Sequence, residues 1–253
     1  MKNFLKFIRI ELSFFAVFLA LAGFFVFSYP TLTIFLVFLA SFFTAAGSYG
    51  YNNLMDVRED IINRKNYNAS MTRQHGISVV LVSFMLGALF SFLLGTFAML
   101  VYFLIIVTGT TYSGFRLKSR TLVKNVYSGL GSALFFLFGV PEFSTTVFLY
   151  YFLLFLFLFI GSIISDMRDQ IGDMKTNVKT FPVIIGIRKT KIITFFLLST
   201  FLILVLYFNL PYTRIFVPFA LAIAFALHKN NFSLAHKCGG ISFVFLLLSL
   251  VVF

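Results

Sequence analysis

The chain has 253 residues; 60% are hydrophobic, 11% are charged, and there are 39 Phe and no Trp. A soluble domain carries about 25% charged residues, so the composition excludes a soluble globular protein and indicates a polytopic membrane protein. The basic excess, 20 Lys and Arg against 8 Asp and Glu, speaks first for membrane topology and anionic lipid, not nucleic acid. The single Cys238 excludes an intrachain disulfide.

About 20 apolar residues cross the hydrocarbon core as a helix. Breaks at charged, Pro and Asn-rich points define nine expected spans, at 10–28, 31–53, 77–95, 97–113, 123–140, 145–165, 190–208, 213–228 and 238–253. Pro30, Pro141 and Pro211 punctuate three of the short turns. The first span also resembles a secretion signal, with small residues near Ala20 and Ala22, but the span count uses it as a membrane helix. Sorting the basic residues by side puts 19 of the 20 Lys and Arg on one side and Arg214 alone on the other. By the positive-inside rule the crowded side, with the N-terminus, is expected to be cytoplasmic and the cell membrane is the expected location. The chain is expected to form a single integral domain over residues 1–253.

Six of the eight acids fall in two stretches, "NNLMDVRED" at 52–60 and "DMRDQIGD" at 166–173. Each follows a long apolar span on the cytoplasmic side and precedes a basic, polar loop. Asn52, Asp56 and Asp60 are spaced four and four; Asp166, Asp169 and Asp173 are spaced three and four. A continuing helix would place each set on one face, although Gly172 weakens the second helix and is a candidate for its end. Ionised acids on one face repel, and near lipid they are expensive. Arg58 and Arg168 could offset part of that cost, and a divalent cation would offset more. Solvated helix ends with surface ion pairs are the plain alternative. Two matched clusters on one side, in a chain this poor in acid, favour a carboxylate metal site with Asp56, Asp60, Asp166, Asp169 and Asp173 as ligands. Oxygen-only donors suit Mg²⁺, which is completed by waters and substrate phosphates. His75, His228 and His236 are scattered and have no metal-ligand spacing.

Basic residues surround the acids in the chain. "TYSGFRLKSRTLVKN" at 111–125 supplies Tyr112, Ser113, Arg116, Lys118, Arg120 and Lys124; the neighbouring loops add Arg64, Lys65, Arg73, Lys175 and Lys179. Carboxylates, Mg²⁺ and cations together suit a polyphosphate. For most of these cations, topology and lipid headgroups are the simpler account. A secondary transporter or cation channel with acidic ion sites is the rival class. Such sites usually lie near mid-membrane at broken helices, whereas these acids fall at span ends.

The motifs resemble those of the UbiA superfamily of intramembrane prenyltransferases. The family's N-D-x-x-D-x-x-x-D stands here as Asn52, Asn53, Asp56 and Asp60, with Asn53 in place of the usual first Asp. Its D-x-R-D-x-x-G-D stands as Asp166, Arg168, Asp169, Gly172 and Asp173. "KTFPVIIG" at 179–186 is similar to the family's K-T-[LF]-P-V-x-x-G, and "YSGFRLKSR" at 112–120 to its Y-S-x-x-x-R-L-K element. The match runs from about residue 45 to 190. Where many members carry R-P-[IL]-x-S-G, this chain has "NRKNYNASMTRQHGIS", so Arg64 and Arg73 are the candidates for that Arg.

The resemblance implies an all-α polytopic membrane protein with nine transmembrane helices around a central lipid-accessible cavity capped on the cytoplasmic side. It also implies Mg²⁺-dependent transfer of a prenyl chain from an allylic prenyl diphosphate to a lipophilic acceptor, an aromatic quinone precursor or an ether-lipid type, with release of diphosphate. Asp56, Asp60, Asp169 and Asp173 are then expected to be catalytic through the metal. Tyr112 would face the carbocation. Asn52, Asn53, Arg64, Arg73, Arg116, Lys118 and Lys179 would bind substrate. No nucleic-acid partner and no obligate protein partner are expected.

Overall fold

The computed structural model describes residues 2–27, 33–55, 57, 72–115, 121–175 and 178–252. Among these residues the only regular structure is helical. In chain order the helices are α1 Lys2–Phe7, α2 Ile10–Phe27, α3 Ile34–Met55, α4 Arg73–Leu94, α5 Thr96–Gly114 and α6 Thr121–Leu134. They continue with α7 Thr145–Lys175, α8 Phe181–Ile185, α9 Ile187–Phe208, α10 Phe216–His228 and α11 Phe232–Val252. A 3-10 turn, Phe135–Gly139, continues α6, and another, Thr213–Ile215, precedes α10. Pro141 and Pro211 fall in turns as expected; Pro30 lies outside the described residues.

Eight of the described helices are long and apolar enough to cross a bilayer. The protein is an all-α, multi-pass membrane protein. The expected ninth span, 213–228, is a continuous apolar helical segment, Thr213–His228, shorter than the roughly 20 residues of a full crossing. The span expected at 145–165 lies within α7, which continues ten residues further, to Lys175. Gly172 does not end it. A glycine costs a helix only about 1 kcal/mol, and the residues after it retain the hydrogen-bonded turn.

The chain divides into two compact units: Met1–Leu117 with Leu134–Phe143, and Lys118–Ala133 with Ser144–Phe253. In the first, α3 packs against α2, α4 and α5. Lipid offers no hydrophobic drive between helices, so close approach depends on small residues. A Cβ on Gly87 of α4 would lie 2.7 Å from Thr44 Oγ1 of α3, and one on Gly76 would lie 2.8 Å from the Leu54 side chain. The Ser41 and Thr44 hydroxyls on α3 donate to their own helix, to the Val37 and Ala40 carbonyls at 2.7 and 2.6 Å. These bonds spare them an unmet donor in an apolar interior.

The tightest approach in this unit is between α2 and the 3-10 turn Phe135–Gly139. A Cβ on Gly23 would stand 2.1 Å from the Phe136 carbonyl oxygen, and one on Gly139 2.0 Å from the Ala20 carbonyl oxygen. Backbone cannot step aside as a side-chain tip can. Gly139→Ala is therefore expected to cost about 1–3 kcal/mol, as core overpacking does. The check is the melting temperature of the detergent-purified protein, with Gly161→Ala, where a Cβ meets open space, as the control that should melt like the parent.

In the second unit, four helices meet on four buried phenylalanines. The Phe157 ring of α7 lies 5.1 Å from Phe201 of α9, 4.9 Å from Phe216 of α10 and 5.7 Å from Phe243 of α11, centroid to centroid. The rings are tilted or edge-on to one another, avoiding the face-to-face sandwich that aromatic pairs disfavour. Tyr150 of α7 donates its hydroxyl hydrogen to the Pro211 carbonyl at 2.8 Å, fixing the turn after α9. Other phenylalanines, such as Phe92 on α4 and Phe196 on α9, are exposed, as side chains that face lipid are.

Candidate active site

The long helix α7 positions the second acidic stretch. At 1.5 Å per residue its 31 residues run about 46 Å, well beyond the ~30 Å hydrocarbon core. The spacing of three and four sets Asp166, Asp169 and Asp173 along one side of it, but their surroundings differ.

Asp166 is buried, 3% exposed. Lys124 Nζ of α6 lies 2.5 Å from its Oδ1, and Asn125 Nδ2 donates to its Oδ2 at 2.9 Å. The same Asn125 amide reaches Ser162 Oγ on α7 at 2.9 Å. Both oxygens of Asp166 are thus committed to holding α6 against α7. Asp169 is exposed and is gripped by Arg168, Nε to Oδ1 at 2.7 Å and Nη2 to Oδ2 at 2.8 Å. That is the compensating role expected of Arg168. Asp173 is partly buried, in the electrostatic field of Lys124, Asp166 and Asp169.

The "KTFPVIIG" segment folds back onto this end of α7. The Val178 amide donates to the Asp173 carbonyl at 2.9 Å, and Gln170 Nε2 of α7 donates to the Pro182 carbonyl at 3.0 Å. Thr121 Oγ1, at the start of α6, donates to the Lys179 carbonyl at 2.8 Å. Pro182 lies in the first turn of α8, where its missing N–H costs nothing. Gly186 at φ 84° then lets the chain turn into α9. Lys179 emerges from this turn with its side chain exposed.

In the first unit, α3 carries Asn52 and Asn53 in its last turn. Asn53 is fully buried. Its Oδ1 accepts from Arg9 Nε and Nη2 at 3.0 and 2.7 Å, and its Nδ2 donates to the Phe7 carbonyl at 2.6 Å. The amide therefore fastens the α1–α2 junction, where Arg9 adopts φ 47°, to the end of α3. Asn52 Oδ1 accepts from Ser113 Oγ of α5 at 2.8 Å, which brings Tyr112, partly buried, to the same end of this unit. Arg73 is the exposed first residue of α4, following the N-cap Thr72, whose Oγ1 accepts from the His75 amide at 3.4 Å. Asp56, Asp60, Arg64, Arg116 and Lys118 lie outside the described residues. Arg9, Asn125 and Ser162 were not singled out from the sequence. Each acts through a partner at least 37 positions away, and no local spacing signals that.

Among the described residues, no three His, Cys, Asp or Glu side chains gather into a group that could hold a metal ion. The second unit offers Asp169 and Asp173, one helical turn apart: Asp169 in an exposed pair with Arg168 and Asp173 interacting with Thr180, while Asp166 is buried against Lys124 and Asn125. Carboxylate donors fit Mg²⁺, which binds through one or two carboxylates and fills its remaining positions with water and phosphate oxygens.

The model of the UbiA prenyltransferase family matches residues 12–249. The chain belongs to the UbiA prenyltransferase family. A digeranylgeranylglyceryl phosphate synthase of Sulfurisphaera tokodaii is 30% identical over 161 residues, 58% of this chain and 55% of that relative. The aligned part is thus less than two thirds of the relative's length. The fold is that of a UbiA homologue from Archaeoglobus fulgidus, with a TM-score of 0.79 at 17% identity, covering 99% of this chain and all of that one. A structure of that homologue bound to GPP and Mg²⁺ superposes with a TM-score of 0.78 at 15% identity, over 99% and 100% of the two chains. The UbiA fold thus spans the whole length read here.

Proposed function

We propose that this UbiA-family protein transfers a prenyl chain from an allylic prenyl diphosphate to a lipophilic acceptor, in a reaction that requires Mg²⁺. The observation that supports the reading is the end of α7, where Asp169 and Asp173 lie one helical turn apart while Asp166 is buried against Lys124 and Asn125; Asp169 sits in an exposed ion pair with Arg168, a weak pairing that a divalent cation can displace. The reading places a lipid-accessible cavity within the helices and its polar mouth at the cytoplasmic face.

Asp56 and Asp60 of the first stretch and Asp169 and Asp173 of the second would hold the metal. Bound Mg²⁺ would stabilise the negative charge growing on the departing diphosphate. Arg64, Arg73, Arg116, Lys118 and Lys179 supply charge-assisted hydrogen bonds to the other phosphate oxygens. Asn52 orders the first acidic stretch, and Asn53 anchors it through Arg9. The allylic C–O bond breaks, its electron pair leaves with the diphosphate, and the allylic cation is captured by the acceptor's nucleophile, which loses a proton. Tyr112 offers its ring face to that cation. The apolar helix interior keeps water from the cation.

The S. tokodaii relative named digeranylgeranylglyceryl phosphate synthase favours a glyceryl phosphate acceptor of the ether-lipid type over an aromatic one. The test is mass spectrometry of products from the purified protein with Mg²⁺, a panel of prenyl diphosphates, and glyceryl phosphate and aromatic acceptors. The expected product is an allyl ether with stoichiometric diphosphate. Prenylation of aromatic acceptors alone would overturn the acceptor, and no transfer to any acceptor would overturn the activity.

A further inference from the structure

The second unit holds a cavity whose lining includes none of the site residues described above. It has a volume of about 280 Å³ and is lined by Ile187, Arg188, Lys191, Ile192 and Phe195 at the start of α9 and by Asn230 at the α10–α11 turn. Arg188 and Lys191, three apart, share a face of α9. Lys191 Nζ donates to Asn230 Oδ1 at 2.8 Å, which fixes the ammonium at the cavity wall and leaves two of its three hydrogens for a ligand. Asn230 holds φ 57°, so the turn presents its side chain from a left-handed conformation that Asn tolerates. Among the described residues no carboxylate pairs with Arg188 or Lys191.

Two cations over an apolar wall do not suit a freely soluble anion, which would leave that wall wet. Ile192 of the cavity lining also stands on the outer face of α9, where Ile192, Phe196, Ile203 and Tyr207 are all more than 60% exposed. Their spacing of four, seven and four makes them one stripe along the helix. An anion joined to a hydrocarbon chain matches both parts. Basic pockets beside membrane helices are the usual seats of anionic lipid headgroups.

We propose that this cavity binds the headgroup phosphate of an anionic phospholipid through Arg188 and Lys191, with an acyl chain lying along the Ile192–Tyr207 stripe of α9. The site is distinct from the acidic one and does not depend on the reaction proposed above.

The experiment uses the full chain purified in neutral detergent, with phosphatidylglycerol and phosphatidylcholine compared by native mass spectrometry. Two interfacial cations predict retention of phosphatidylglycerol at least about fivefold above phosphatidylcholine. In Arg188→Gln/Lys191→Gln that preference should fall below about twofold, while Lys2→Gln/Lys6→Gln keeps it. Equal retention of the two lipids, or an undiminished preference in the double variant, would overturn the proposal. A photoreactive phosphatidylglycerol on the unaltered protein gives a readout that no folding defect can confound: adducts are expected within 187–207 or at Asn230, and adducts confined elsewhere contradict the site. Inorganic phosphate should not raise the melting temperature. If it matches the effect of phosphatidylglycerol, the occupant is a free anion and the lipid assignment fails.

Discussion

Asp169→Ala and Asp173→Ala are each expected to lower kcat/KM for the prenyl diphosphate by about 10²–10³-fold, the usual cost of removing one group that stabilises transition-state charge. The loss should appear in turnover measured with saturating Mg²⁺, without a comparable fall in melting temperature, because Asp169 is exposed and Asp173 only partly buried. Asp166→Asn behaves differently. Its carboxylate is buried and held by Lys124 and Asn125, so folded Asp166→Asn protein is expected to retain activity within about tenfold of the parent, the remaining loss reflecting displaced supports. A folded Asp166→Asn variant as inactive as Asp173→Ala would return Asp166 to the metal ligands and remove the distinction drawn here.

The second large effect is on stability. Lys124→Met leaves Asp166, whose side chain is 4% exposed, without its cation. Breaking a buried pair from one side costs about 3–5 kcal/mol because the remaining charge is stranded. For a chain of this size that is a fall in melting temperature of about 10 °C or more. Removing both charges, Lys124→Met with Asp166→Leu, is expected to recover most of it, since an apolar pair of similar volume avoids the desolvation penalty. The double-mutant cycle in detergent measures the coupling. A single Lys124→Met variant that melts within 2 °C of the parent, a shift of under about 1 kcal/mol, would show that the pair contributes little.

Much of the helical layout is legible in the sequence, because a lipid-crossing helix is specified by little more than about 20 consecutive apolar residues. Where the reading departs from the structure, the departure has a local cause. The segment 213–228 is helical over the bounds read from the sequence, its first turn 3-10, but its 16 residues are fewer than the roughly 20 of a full crossing. The apolar span ends at 165 because charge begins at Asp166, and Gly172 is the candidate end of the helix that continues from it. A helix does not stop where apolar residues stop, and α7 continues through Gly172 to Lys175. The acidic motif and its helical spacing are equally plain in the sequence.

What spacing could not convey is the division of labour within the motif. Three acids on one face read alike until Lys124 and Asn125, about 40 residues earlier, are brought against one of them. Asn53 is a similar case. As a motif position it reads as a substrate contact, whereas its amide is engaged by Arg9 and by the Phe7 carbonyl. Tertiary partners at such separations leave no periodic trace in one chain.

The central claim is that both acidic stretches grip one Mg²⁺-diphosphate unit. Calorimetric titration of an unreactive prenyl thiodiphosphate into the purified protein tests it directly. The account predicts binding that requires Mg²⁺ and is weakened at least about tenfold by Asp56→Ala and by Asp173→Ala alike. Binding of equal strength without Mg²⁺, or unchanged in either variant, would contradict it.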